Sequence, residues 1–159
     1  MKPFLALASA LALIGAPASA QTVTDGDTIK LDGTSYRIWG IDAAENKQLC
    51  PDGWPAGRAA TTHMRELVRG HAVICDPRTK DRYGRTVALC RADGEDIGAA
   101  MVRAGHAWAF IRYSRDYVTQ EMQARADRLG VHAHGCQPAW EWRAEQRGAT
   151  TPPAARPNP

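Results

Sequence analysis

Two Asp-Gly pairs, Asp25-Gly26 and Asp32-Gly33, cut residues 21–41 into β-prone runs of only a few residues each. Asp-Gly between such runs is a strong hairpin signal, because both residues tolerate the positive φ that a tight turn demands. The folded part therefore opens as a meander of short antiparallel strands, which neither a helix bundle nor a regularly wound βαβ sheet contains. A loop carrying Pro51, Gly53 and Pro55 follows. The apolar spacing of Ala60, Met64, Leu67 and Val68 predicts a helix over about residues 57–69, stopped by Gly70. Residues 72–75 and 86–90 predict a second hairpin with a polar tip. Two further helices are expected: one through Ile97, Met101 and Ala104 up to Gly105, the other capped by Ser114 with Val118, Met122, Arg125 and Leu129 on its inner stripe.

Strands, then a helix, then strands and helices without βαβ alternation indicate an α+β class. A five-stranded barrel of the OB-fold type with about three helices fits that order. The length of 159 residues allows one domain. Residues 1–20 combine Lys2, a short apolar run and Ala18-Ser19-Ala20, the layout of a signal peptide cut after Ala20. Such a leader sends the chain to the periplasm or the medium. Its apolar run is too short to span a bilayer, so no membrane association is expected. Residues 21–143 form the expected domain with its C-terminal extension, and the proline-rich residues 144–159 an expected disordered tail. A monomer is expected.

Four cysteines, Cys50, Cys75, Cys90 and Cys136, in an exported chain read as two disulfides, for which three connectivities exist. Cys75 and Cys90 lie in the two arms of the second hairpin and are expected to pair. Cys50 and Cys136 then pair by elimination. None of the spacings is the Cys-x-x-Cys of a zinc ribbon.

The net charge of +3 falls to +2 once Lys2 leaves with the leader. Such a small excess excludes a uniformly basic nucleic-acid-coating protein, so a polyanion must be met by locally placed cations. Acids and arginines alternate through Asp25-Gly26-Asp27-Thr28, Arg37, Asp42-Ala43-Ala44-Glu45 and Asp81-Arg82-Tyr83-Gly84-Arg85. Phosphodiester hydrolysis needs cations on the phosphoryl oxygens, a carboxylate to handle water and a hard metal on oxygen ligands. Asp27 and Asp42 with one backbone carbonyl suit calcium better than zinc. Glu45 stands close enough in sequence to act as a general base on water. Arg37 and Arg85 each offer a planar fork that matches phosphate. Taken singly, each of these acids is more often a turn or solvated loop residue, and Arg37 a strand surface residue. Their ordered combination carries the reading.

That combination resembles the staphylococcal nuclease family, secreted calcium-dependent nucleases with an OB-fold. The similarity runs from about Val23 to Gly130 and includes Asp93-Gly94 and Met101-Val102-Arg103-Ala104-Gly105. It implies that Asp27, Asp42 and the carbonyl of Ala43 bind Ca2+, that Glu45 is the general base, and that Arg37 and Arg85 grip the scissile phosphate. Arg82 and Tyr83 match positions touching substrate phosphate. DNA and RNA are the implied substrates, cut at the 5′ P–O bond to leave 3′-phosphates. Ala43-Ala44 replaces the family's Thr-Pro, which loosens the loop bearing Glu45. Ile111 falls where a base-stacking tyrosine is expected, with Phe110 nearby and Tyr113 as the candidate contact. The competing reading, a non-catalytic OB-fold module that binds nucleic acid or another polyanion, is disfavoured because all five candidate catalytic residues are retained.

One geometric requirement follows from the spacing. In a straight strand Arg37 and Asp42 point to opposite faces about 16–17 Å apart. Their convergence demands a bend, and Gly40 is the residue to supply it.

Overall fold

The computed structural model of the chain describes residues 21–150. The expected leader, residues 1–20, and residues 151–159 of the expected tail lie outside these described residues. The opening meander is present as β1 (Gln21–Asp25), β2 (Thr28–Leu31) and β3 (Thr34–Ile38), antiparallel neighbours joined through the two Asp-Gly turns. Asp32 and Gly33 adopt the positive φ values, 46° and 85°, that this turn requires. The chain then leaves the sheet. Gly40, at φ 70°, redirects it into the short β4 (Ile41–Ala43).

Helix α1 (Ala56–Val68) buries Ala56, Ala60, Met64 and Val68, a spacing of four that keeps one face inward. Strands β5 (Val73–Lys80) and β6 (Thr86–Ala92) make the second hairpin, longer than expected because the ladder extends through the polar residues up to Lys80. Pro77, which cannot donate to a ladder, sits at its register shift. The two-residue β7 (Glu95–Asp96) leads into α2 (Ile97–Arg103), capped by the Asp96 carboxylate on the Ala99 N–H at 3.1 Å. Strand β8 (Ala107–Ala109), α3 (Val118–Ala126), a 3-10 turn (Gly130–His132) and α4 (Ala139–Thr150) complete the order.

The main sheet runs β1-β2-β3-β6-β5, with β3 and β6 parallel, and β4 pairs separately with β8. The class is α+β. Among the described residues no ladder joins β5 back to β1, so the hydrogen-bonded path of five strands stays open where a closed barrel was expected. Helix α1 accounts for this. It packs along β1, and Gln21 Nε2 donates to the Val68 carbonyl at 2.6 Å, so that this edge is shielded by a helix rather than paired with a strand.

Two clusters are buried. The larger joins Ile29, Ile38, Ile41, Met64, Ile97 and Met101 between sheet, α1 and α2. The smaller gathers Ala44, Cys50, Ala56, Trp108, Val131 and Ala139 under Trp54 and Trp140, and it ties the loop after β4 to the C-terminal segment.

Three expectations change. Helix α3 starts after Tyr117 without a side-chain cap, while Ser114 instead accepts from the Asp116 N–H in the preceding turn. Met122 is 65% exposed and Ala124 is buried, because the helix meets α2 through its small residue and lets Glu121 hold the Ala109 N–H. Residues 144–150, placed in the disordered tail, are the second half of α4. Ala144, Glu145, Gln146 and Arg147 are good helix formers, and Trp140 docks the helix on the smaller core.

Both disulfides join the expected partners. Cys75 faces Cys90 directly across β5 and β6, and Cys50 joins Cys136 over 86 residues. Paired cysteines of this kind mark a chain that folds in an oxidising compartment. No helix among the described residues is long and apolar enough to cross a membrane. Replacing Cys50 and Cys136 together by serine is expected to cost about 2–4 kcal/mol in urea unfolding, from the released loop entropy.

Candidate active site

The turn between β1 and β2 is pressed against β4. A Cβ on Gly26 would come within 2.8 Å of the Ala43 Cβ and 2.7 Å of the Ala60 Cβ, so glycine is what lets Asp27 approach β4. The Asp27 carboxylate there accepts from the Ala43 N–H at 3.3 Å and from the Thr28 hydroxyl at 3.0 Å. The bend at Gly40 brings Asp42 back to β3. Arg37 donates from Nη1 to Asp27 at 2.8 Å and from Nη2 to Asp42 at 2.8 Å, bridging residues that a straight strand keeps apart.

Glu45 follows on a turn braced from two sides. Gln48, itself buried, accepts from the Glu45 N–H at 3.1 Å and donates to the Gln137 carbonyl at 2.8 Å. A Cβ on Gly57 would overlap the Glu45 carbonyl, so the first turn of α1 lies directly under this loop. Ala44 is buried against Trp108 in the smaller core. The loop that lacks the family's proline is thus fixed by packing and by a buried glutamine.

Arg85 enters from the hairpin tip. Asp81 accepts from its Nε at 2.6 Å and from the Tyr83 and Arg85 N–H groups at 2.9 and 3.0 Å, while Arg85 Nη1 reaches the Thr28 hydroxyl at 3.3 Å. Arg82 and Arg85 both lie over the Tyr83 ring. Tyr113 is exposed and its ring is tilted against those of Phe110 and Trp39 at ring separations of 5.1 and 6.4 Å. Ile111, also exposed, stands where a stacking ring was expected. Asp27, Arg37, Ala43, Glu45, Arg82, Tyr83, Arg85 and Tyr113 line one cleft of about 880 Å³, with Asp42 buried beneath its floor.

The cleft has a wall that sequence reasoning missed. Trp140, Arg143, Ala144 and Arg147, one face of α4 by their i, i+3, i+4, i+7 spacing, all line it. Arg143 Nη2 donates to Asp42 at 2.6 Å, and its Nη1 donates to Glu45 at 2.6 Å and to Asp42 at 3.3 Å. The available signal was this helical stripe, which begins at Trp140.

The electrostatics follow from depth. Asp42 has no exposed side-chain surface, and burial pushes its carboxyl above the usual range although Arg143 and Arg37 pull the other way. Arg143 keeps 31% of its side chain exposed, so the balance reverses: burial lowers its pKa less than the bonds to Asp42 and Glu45 raise it. Arg37 is likewise held charged, with burial outweighed by Asp27 and Asp42. Asp25, against Asp27, is pushed up to about 6 by burial and its neighbour's charge. Three carboxylates, Asp27, Asp42 and Glu45, thus meet two guanidiniums, and the excess negative charge on hard oxygen donors fits a divalent cation of the calcium type. Among the described residues no group of three or more His, Cys, Asp or Glu side chains is arranged to hold a metal ion, and guanidiniums engage the Asp27, Asp42 and Glu45 oxygens.

Comparison with known proteins agrees with this arrangement. The family model for staphylococcal nuclease homologues matches residues 35–134. An uncharacterized endonuclease of Escherichia coli O157:H7 is 36% identical over 129 residues, 76% of this chain and 80% of that protein. Staphylococcal-like nuclease CAN1 of Arabidopsis thaliana is 31% identical over 115 residues, covering 70% of this chain and 34% of the plant protein. The protein ParB of Escherichia coli is 30% identical over 165 residues, 88% of this chain and 89% of its own length. By the extent of the family match and the identity to relatives of similar length, the chain belongs to the staphylococcal nuclease family.

Proposed function

We infer that the protein is a calcium-dependent endonuclease of the periplasm or medium, hydrolysing DNA and RNA at the 5′ P–O bond. The observation that carries this reading is the convergence of Asp27, Arg37, Asp42, Glu45 and Arg85, drawn from four separate segments, on one cleft and its floor. Family membership supports the chemistry, and the relatives named as nucleases support the substrate class. The two disulfides support the compartment. The family also implies the OB-fold, with the five-stranded path curled around the larger core.

Asp27, Asp42 and the Ala43 carbonyl hold the calcium ion in this reading. When bound, calcium polarises a phosphoryl oxygen and offsets the negative charge that develops on it. The remaining work falls to the chain itself. Glu45 takes the proton of the attacking water. Arg37 and Arg85 present planar forks to the equatorial phosphoryl oxygens, where charge accumulates in the transition state. Arg82 and Tyr83 hold the neighbouring phosphate, and Tyr113 offers a ring on which a base can stack. These groups address phosphate and ring faces rather than base edges, so sequence preference is slight.

Incubation of the disulfide-intact protein with single-stranded and plasmid DNA, in calcium or in chelator, tests the reading. Cleavage to 3′-phosphate ends in calcium alone is expected. Cleavage that persists in chelator would leave a nuclease without this metal, and binding without cleavage would make the protein a non-catalytic nucleic-acid module.

A further inference from the structure

Helix α4 begins at Ala139, beyond the residues matched by the family model, and is tied to the loop of Glu45 by the Cys50–Cys136 disulfide and the Gln48–Gln137 bond. From this tethered helix Arg143 reaches 101 residues back along the chain to Asp42 and 98 back to Glu45. Its guanidinium takes both oxygens of Asp42 and one of Glu45. It lies over a carboxylate that has no exposed surface of its own.

We propose that Arg143 is a built-in counter-cation for this site: it holds Asp42 and Glu45 in place of a divalent ion, and the ion enters only as Arg143 withdraws. The proposal rests on the calcium reading above and adds to it a competition inside the chain. The geometry leaves little alternative, because the Asp42 oxygens that accept from Arg143 at 2.6 and 3.3 Å are the atoms that must turn to a metal. Oxygen lone pairs used by N–H donors are not free to coordinate. A buried carboxylate short of counter-charge is costly, so Arg143, beside Arg37, also supports the metal-free fold. Arg37 does not play the same part. It sits on β3 in the interior of the main sheet, bonded to Asp27 as well, and has no separate element to move with. Arg143 moves with a terminal helix that is anchored at its start and carries mostly exposed residues toward its end.

Competition has a quantitative signature. If Arg143 is seated nine-tenths of the time, apparent calcium affinity is lowered about tenfold. Calcium titrated calorimetrically into the disulfide-intact protein is therefore expected to bind about tenfold more tightly to Arg143→Met, which keeps an apolar stem and removes the charge. Arg143→Lys, a cation without the fork, falls between the two. Asp42→Asn is run beside them to separate the two ideas. Calcium binding that survives in Asp42→Asn means the ion sits elsewhere and defeats the calcium reading itself. Binding that is lost in Asp42→Asn yet no tighter in Arg143→Met defeats the counter-cation alone. The wild-type chain supplies a test that needs no variant: calcium should speed amide hydrogen exchange in residues 139–147. Exchange there that calcium leaves unchanged or slows would overturn the proposal.

Discussion

Replacing Arg37 by alanine is expected to lower the stability of the protein in chelator by about 3–5 kcal/mol, because the buried Asp27 loses its arginine and Asp42 is left with Arg143 alone. Arg37 is the only donor seen to both Asp27 and Asp42 among the described residues, and its side chain is 16% exposed. Asp27 and Asp42 are 8% and 0% exposed, so water cannot take its place. Removing both acids with it, as Asp27→Asn and Asp42→Asn, is expected to recover much of the loss, because the unpaired charge and not the missing contact is the main cost. The pH dependence has a definite sign. Burial already raises Asp42, so the folded state binds its proton more tightly than the unfolded state and this group costs stability as pH rises. Without Arg37 that cost grows at neutrality and is relieved as the carboxyl takes up its proton. Urea unfolding of parent and variant should therefore differ most near neutral pH and less on acidification. A variant within about 1 kcal/mol of the parent at neutral pH would place Arg37 among ordinary surface pairs.

The same residues show what a sequence can and cannot disclose. The bend at Gly40 was readable because one physical conflict, Arg37 and Asp42 on opposite faces, has few solutions and glycine is the usual one. The Cys75–Cys90 pair was readable from the two strands that flank one turn. Asp27, Arg37, Asp42, Glu45 and Arg85 could be named because their spacing is local, segment by segment, and family-like. Arg143 could not, because its role exists only after α4 has folded across the cleft, about a hundred residues from its partners. Gln48 was missed for a related reason. A buried glutamine that braces Glu45 to Gln137 leaves no periodicity in the sequence. Met122 misled because helical spacing predicts a stripe but not which side of a weakly amphipathic helix the neighbours will cover. The start of the expected disordered tail erred from composition: four prolines colour residues 152–159, while residues 144–147 belong to a helix already started by Trp140 and Trp142.

The largest catalytic effect is expected at Arg85, whose replacement by alanine should lower kcat by about 10²–10³, or about 2.7–4 kcal/mol of transition-state stabilisation. The argument depends on what the substitution leaves behind. Asp81 keeps the Tyr83 and Arg85 main-chain N–H groups that shape the hairpin tip, since neither donor is a side chain. The arginine of the lost ion pair is 28% exposed, and Asp81, though 9% exposed, keeps both main-chain donors, so stability should change by about 1 kcal/mol. Thr28 keeps its bond to Asp27 and the floor of the cleft is untouched. What disappears is one fork that the hairpin tip brings into the cleft beside Thr28. A fork that grips the phosphate only as charge builds there changes kcat more than KM. Arg85→Lys restores a point charge without the planar pair of donors and should recover only part of the rate. Single-turnover cleavage of a defined oligonucleotide, with unfolding measured in parallel, separates these outcomes. Near-parental turnover in a folded Arg85→Ala protein would remove Arg85 from the reaction and leave it as the strut that holds Asp81 and the Tyr83 loop over the cleft.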